Sequence, residues 1–145
     1  MNLSVEIAGV KFKNPVIAAS GTFGFGAEYS EFYPLPSLGG ICTKGLTIAK
    51  KEGNPPPRAT ETYGGMLNAV GLQNPGIEHF LATDDKTLAN EDVVVIANVA
   101  GSTIEDYIAI GERINDANAQ MVELNISCPN VKEGGIAFGV LPESV

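Results

Sequence analysis

The run Val93-Val94-Val95-Ile96-Ala97 limits the fold of this chain more than any other stretch. Uninterrupted and mostly β-branched, it suits a strand buried on both faces, as a parallel sheet between helices requires. Three shorter apolar runs share its character: Pro15-Val16-Ile17-Ala18-Ala19, Gly40-Ile41-Cys42-Thr43 and Met121-Val122-Glu123-Leu124. Helix signals alternate with them. The pattern predicts a helix over 27–33, stopped by Pro34 and Pro36, and another over 75–81 with Pro75 in its first turn. A third begins with a capping box of Ser102 and Glu105, and Ile104, Tyr107, Ile108 and Ile114 follow at helical spacing. Strand and helix in alternation give four β/α units on parallel strands. Residues 5–12 read as a short hairpin about Ala8-Gly9, expected to cover one end of the domain. Residues 50–58 form a polar, proline-rich excursion leading to Ala59-Thr60-Glu61-Thr62-Tyr63, and long loops of that kind are functional or disordered.

Composition removes several function classes. The 145 residues are 44% hydrophobic and 18% charged, as in one soluble globular unit. No apolar run reaches the roughly 20 residues of a membrane span. The first residues lack the basic and apolar regions of a signal peptide. Cys42 and Cys128 stand far apart, with neither a disulfide framework nor metal-ligand spacing, which points to a reducing cytoplasm. The single His79 is expected on a helix surface, so no metal is expected. A net charge of −8 argues against nucleic-acid binding. An anionic substrate would have to be met by particular groups and not by a general field.

The chemistry concentrates after the last strand. Asn125-Ile126-Ser127-Cys128-Pro129-Asn130 holds amides, a hydroxyl and a thiol, and Lys132-Glu133-Gly134-Gly135 follows. A strand end that runs into such a loop is where an α/β barrel carries its active groups. An inert core cysteine would need none of these neighbours. Gly24 and Gly26 do not make a dinucleotide fingerprint, because no strand-turn-helix pattern surrounds them. Glu123 receives no role from the sequence.

Asn125 to Asn130 resembles the catalytic loop of the class 1 dihydroorotate dehydrogenases. Four further blocks resemble that family in its own order. They are Asn14-Pro15-Val16-Ile17-Ala18-Ala19-Ser20-Gly21-Thr22-Phe23-Gly24, Thr43-Lys44-Gly45, Asn68-Ala69-Val70-Gly71-Leu72-Gln73-Asn74-Pro75-Gly76, and Ile96-Ala97-Asn98-Val99-Ala100-Gly101. The resemblance implies an FMN-binding (β/α)8 TIM barrel, of which residues 1–145 would be the N-terminal half. It implies oxidation of dihydroorotate to orotate in pyrimidine biosynthesis, a base removing the C5 proton and a hydride leaving C6 for FMN. Thr22-Phe23-Gly24-Phe25-Gly26 and the segment after Asn130 resemble the NAD-linked 1B branch. That branch works with a second subunit carrying FAD and a [2Fe-2S] cluster, around a homodimeric core within a heterotetramer.

The same resemblance distributes roles. Cys128 would be the base, and a thiol with a reference pKa of about 8.5 suits proton abstraction far better than a serine hydroxyl. Ala19, Ser20, Gly21, Lys44, Gly45, Asn98 and Asn125 would hold FMN. Lys44, Asn68, Ala69, Val70, Gly71, Leu72, Asn125 and Asn130 would hold the substrate. Physical reasons accompany several of these. An ammonium can offset the charge of a reduced flavin and of a carboxylate, and amides match the alternating carbonyl and N–H edges of flat heterocycles. Cys42, inside its strand, is expected to pack only. Two other readings remain: a dihydropyrimidine dehydrogenase-like flavin domain, which shares the Cys-Pro loop, and a non-catalytic half barrel. Four strands alone would leave two open sheet edges. A 145-residue unit is therefore expected to retain little or no FMN and to be either self-associated or poorly soluble.

Overall fold

The computed structural model describes residues 2–129 and 134–145. Its frame is a four-stranded parallel sheet of β3 (Ile17–Ala18), β4 (Gly40–Cys42), β7 (Val94–Val99) and β8 (Met121–Leu124), which lie side by side in chain order. Sequential parallel strands joined through helical connections are the construction rule of a TIM barrel, and this is its first half. Two antiparallel hairpins interrupt the rule: β1 (Val5–Ile7) with β2 (Val10–Phe12), and β5 (Ala59–Thr62) with β6 (Gly65–Asn68).

Register decides which side chains share a face. Cys42 pairs with Ile96, and Asn98 with Glu123. Because side chains alternate along a strand, Cys42, Ile96, Asn98, Glu123 and the following Asn125 all point to one side. Ile41, Val95, Ala97 and Val99 point to the other. This second face is the core, packed with Phe80, Leu88, Ile110 and Ile114 from the helices. Those helices are α1 (Ile77–Ala82), α2 (Asp84–Leu88) and α3 (Ile104–Ile114). The first hairpin closes the amino-terminal end of the strands, as its sequence led one to expect. The ring of Phe12 is buried and lies over Gly40, where a Cβ would come within 2.9 Å of it.

Several expectations need correction. The helix expected over 27–33 is a single 3-10 turn at Ala27–Tyr29, with a second turn at Leu35–Ser37. Gly26 precedes the first turn in a left-handed conformation and offers no capping side chain. Pro75 lies outside α1, because Gly76 is the N-cap. The capping box of α3 is shifted by one residue, to Thr103 and Asp106. Asp106 also accepts from the backbone N–H of Ser102 at 2.8 Å, so both candidate caps are drawn to one carboxylate. Ile104 and Ile108 are each 58% exposed; Ile114 is buried as expected, and Ile110 is the residue that joins it in the buried stripe. Residues 59–62, given no element from the sequence, are one arm of the β5–β6 hairpin, with all eight strand residues exposed.

Candidate active site

A cavity of about 840 Å³ opens where the four parallel strands end at their carboxyl side. That volume lies in the range of small-molecule and cofactor sites, roughly 300–1,000 Å³. Its lining includes Ala19, Ser20 and Gly21 after β3, Lys44 and Gly45 after β4, Asn98 on β7, and Asn125, Ser127 and Cys128 after β8. Asn68, Val70, Gly71 and Leu72 close it from the hairpin side. Residues separated by more than a hundred positions thus meet around one space. Of the residues singled out by sequence, Ala69 is not on the lining and Asn130 lies outside the described residues.

The floor is a chain of hydrogen bonds. Asn98, only 2% exposed, donates from its amide to Glu123 at 2.5 Å and accepts from the Asn125 amide at 3.0 Å. Its backbone N–H donates to the Thr43 hydroxyl at 3.1 Å. Gly45 is needed for this contact. A Cβ there would lie 2.7 Å from Asn98 Oδ1 and 3.3 Å from Asn125 Nδ2, so any side chain would displace the amide pair. Cys42 is buried beside them and its thiol donates to Glu123 at 3.1 Å. Burial above all, then the hydrogen bond and negative charge of Glu123, push that thiol up to about 12. Cys42 is therefore a neutral donor, not a nucleophile. Ser20 fixes the neighbouring strand end by donating to the Thr43 carbonyl at 2.7 Å.

The loop that bears Cys128 is held from two helices. Tyr107 of α3 donates its hydroxyl to the Asn125 carbonyl at 2.7 Å, and the Ile136 N–H of α4 (Ile136–Gly139) donates to the Cys128 carbonyl at 3.1 Å. Phe138 meets the Tyr107 ring edge-on at 5.8 Å. Sequence reasoning counted Tyr107 only as part of an apolar stripe and missed this anchor. The available signal was its hydroxyl: a half-buried Tyr on a helix beside a polar loop needs a partner for it. Glu123 was missed as well, and its signal was a carboxylate inside an otherwise apolar strand.

Lys44 is half-buried, extends from the end of β4, and has no carboxylate partner among the described residues. It lines the main cavity and also a smaller apolar one, about 390 Å³, bounded by Phe25, Val70 and Pro75. On the hairpin side, Gly71 and Leu72 both take left-handed backbone, with φ of 74° and 57°. For Leu72 that conformation is strained by roughly 1–3 kcal/mol and persists only where the surroundings enforce it. The Asn74 amide holds Leu72 by donating to its carbonyl at 2.9 Å, and just before it Asn54 donates from its amide to the Ala69 carbonyl at 2.9 Å and from its backbone N–H to the Val70 carbonyl at 3.0 Å.

A parallel half barrel with amides, a lysine and a thiol gathered at the carboxyl end of its strands has the architecture of a barrel-enzyme site. The particular family follows from comparison. Residues 2–144 match the family model described as dihydroorotate dehydrogenase. The chain is 55% identical over 143 residues to a protein of Petrotoga mobilis named dihydroorotate dehydrogenase B (NAD(+)), catalytic subunit, covering 99% of this chain and 48% of that protein. It is 54% identical to the protein of the same name from Thermoanaerobacter pseudethanolicus, over all of this chain and 48% of that one. The chain thus spans about half the length of the curated relatives it matches. Among solved structures, the Eimeria tenella enzyme in complex with ferulenol superposes with a TM-score of 0.73 at 22% identity, over 90% of this chain and 38% of that one. This last likeness concerns the fold. The chain belongs to the dihydroorotate dehydrogenase family.

Proposed function

We propose that residues 1–145 are the N-terminal half of a single FMN-binding barrel domain, and that the whole protein oxidises dihydroorotate to orotate in de novo pyrimidine biosynthesis. The observation that carries this reading is the single cavity shared by Cys128, Lys44, Asn98, Asn125 and the 68–72 loop. The residues present fit FMN. Asn125 Oδ1 is buried with no hydrogen-bond partner among the described residues, and the floor at Gly45 admits no side chain. Ala19, Ser20, Gly21, Lys44, Gly45, Asn98 and Asn125 would hold the flavin. When bound, FMN supplies the acceptor for the hydride that leaves C6.

The protein's own part is positioning and proton removal. Cys128 takes the C5 proton of dihydroorotate; general-base catalysis of this kind is worth about 10²–10⁴ in rate. Lys44, with no carboxylate partner among the described residues, presents an ammonium that binds the substrate carboxylate and offsets negative charge beside it. Asn68, Val70, Gly71 and Leu72 cover the substrate from the hairpin side, Ala69 belongs to the same loop, and Asn130, which lies outside the described residues, is a further substrate contact of the segment after Cys128. In the relatives the name specifies a catalytic subunit and NAD(+). The names imply a companion subunit; from the resemblance to the 1B branch we infer further that it carries FAD and a [2Fe-2S] cluster and passes electrons to NAD, around a homodimeric core in a cytoplasmic heterotetramer. No helix among the described residues is long and apolar enough to cross a membrane.

The test uses the full-length protein. It is expected to purify yellow, to bleach anaerobically on addition of dihydroorotate, and to reduce NAD only with the companion subunit added. A colourless protein that cannot be reconstituted with FMN, or a flavin bleached by dihydrouracil and not by dihydroorotate, would overturn the proposal.

A further inference from the structure

Glu123 stands opposite Asn98 in the β7–β8 register, on the inward face that leads to the cavity. One of its oxygens, Oε1, accepts from both Asn98 Nδ2 and Cys42 Sγ. The consequence is one of direction. An ionised carboxylate only accepts hydrogen bonds, whereas an amide can present either end. Glu123 therefore draws the NH2 end of Asn98 toward itself and turns Asn98 Oδ1 toward Asn125. Asn125 must answer with its own NH2, at 3.0 Å. Its Oδ1 is then the last group of the relay, buried and without a partner among the described residues. With a donor in place of Glu123, both amides would reverse and the relay would end on N–H.

We infer that Glu123 is a positioning residue that sets the sense of the Asn98–Asn125 amide relay, so that the site presents an acceptor, and selects ligand edges that carry N–H, at Asn125. This inference rests on the proposed reading of the cavity as the flavin and substrate site. Glu123 touches no reacting atom; it acts through Asn98. Cys42 supports it as the second donor on the same oxygen, with a thiol that burial keeps protonated.

Three variants of the full-length, FMN-loaded enzyme test the idea. Glu123→Leu removes the acceptor. Glu123→Gln keeps an oxygen able to take both bonds without the charge. Glu123→Asp keeps the charge and withdraws the acceptor by one methylene. Orotate is titrated against the flavin absorbance spectrum, and FMN affinity is read from flavin fluorescence on reconstitution. Losing one bond to a charged group is expected to raise both dissociation constants about tenfold in the Leu variant. The Asp variant is expected to rise by at least about fivefold and the Gln variant to stay within about threefold of wild type. Melting temperature is followed alongside, since a merely structural role would move stability in all three without this ordering. Wild-type affinities in Leu or Asp overturn the inference. So does a Gln variant as impaired as Leu, because charge and not direction would then be what matters. If Leu does not fold, the Asp and Gln pair still decides it. A wild-type enzyme whose flavin spectrum ignores orotate would instead sink the proposed function, a distinct outcome.

Discussion

The sheet-end wall of the cavity and its hairpin wall are tied down very differently. On the sheet side Thr43 and Asn98 are almost wholly buried, and Asn98 is bonded through its backbone N–H and through both ends of its amide. On the other side every residue of β5 and β6 is exposed, with Met66 at 66% and Leu67 at 64%. That hairpin is fastened below its strands, by Asn54 and by Arg58, whose carbonyl accepts from the Ala69 N–H at 2.8 Å and whose guanidinium donates to Gln73 at 2.5 Å. An isolated two-stranded hairpin is marginal in water, and segments with few buried contacts open first. The contrast assigns tasks. Under the proposed function the floor would be a preset pattern of donors and acceptors, and the hairpin the more loosely held cover over the substrate. Changes to the floor should alter flavin and substrate together, and changes to the cover should alter the substrate alone.

The largest effect is expected at the rim of the floor. Cys128→Ala in the full-length enzyme should leave FMN bound and slow flavin bleaching by dihydroorotate at least ~100-fold, the lower range of general-base catalysis. Cys128→Ser should recover part of that rate only as pH is raised. Stopped-flow absorbance measures both, and near-normal bleaching in the Ala variant would remove Cys128 from the mechanism. Next in size is Lys44→Ala. A lost charge-assisted hydrogen bond costs about 1.5–3 kcal/mol, so orotate affinity should fall roughly 10- to 100-fold and FMN retention should fall with it. Orotate titration with the FMN content determined in parallel is the measurement. An effect on one ligand only would break the claim that the floor serves both.

Gly71→Ala sharpens the contrast from the hairpin side. Gly71 has φ of 74°, and a Cβ there would come within 2.7 Å of Asn54. A side chain in that backbone costs of order 1 kcal/mol before the clash is counted. Orotate should therefore bind roughly tenfold more weakly with FMN content unchanged. Loss of FMN in this variant would mean that the two walls are not separable.

What could be read from the sequence follows the same division. The strands of the sheet were legible as unbroken apolar runs, as at residues 93–97, but the expected burial on both faces does not hold: Val94 and Ile96, on the cavity side, are only half-buried. The floor residues were legible because Lys44, Asn98 and Asn125 stand directly at the ends of those runs. The β5–β6 hairpin was not, because a strand exposed on both faces shows no alternation. Only the Tyr63-Gly64 turn marks it, an Xaa-Gly step of the kind that closes tight hairpins. The capping box was misplaced by one residue because Ser102-Thr103 and Glu105-Asp106 satisfy the same spacing twice, and only packing chooses between them. Tyr107 and Glu123 escaped for a related reason. Their roles depend on partners, Asn125 and Asn98, that only the fold brings within reach.

The smallest expected effect belongs to Cys42, which shares the floor but not the chemistry. Cys42→Ala should leave bleaching by dihydroorotate close to wild type, because the thiol spends its one hydrogen-bond donor on Glu123 and has none left for a ligand. Its trace should appear in the pH dependence of stability instead. The folded-state pKa is raised to about 12 from an ordinary value of 9.0. Between those values the unfolded chain has released the thiol proton and the folded chain has kept it. Proton release therefore favours unfolding, so the contribution of Cys42 is fully present below pH 9 and is lost as pH rises toward about 12. Cys42→Ala removes this one term and should make the fall in melting temperature across that alkaline window shallower than in wild type. Thermal melts of the full-length enzyme at a series of pH values measure it. Identical slopes in the two proteins would show that the Cys42 thiol ionises freely in the fold and that the floor is wetter than its burial implies.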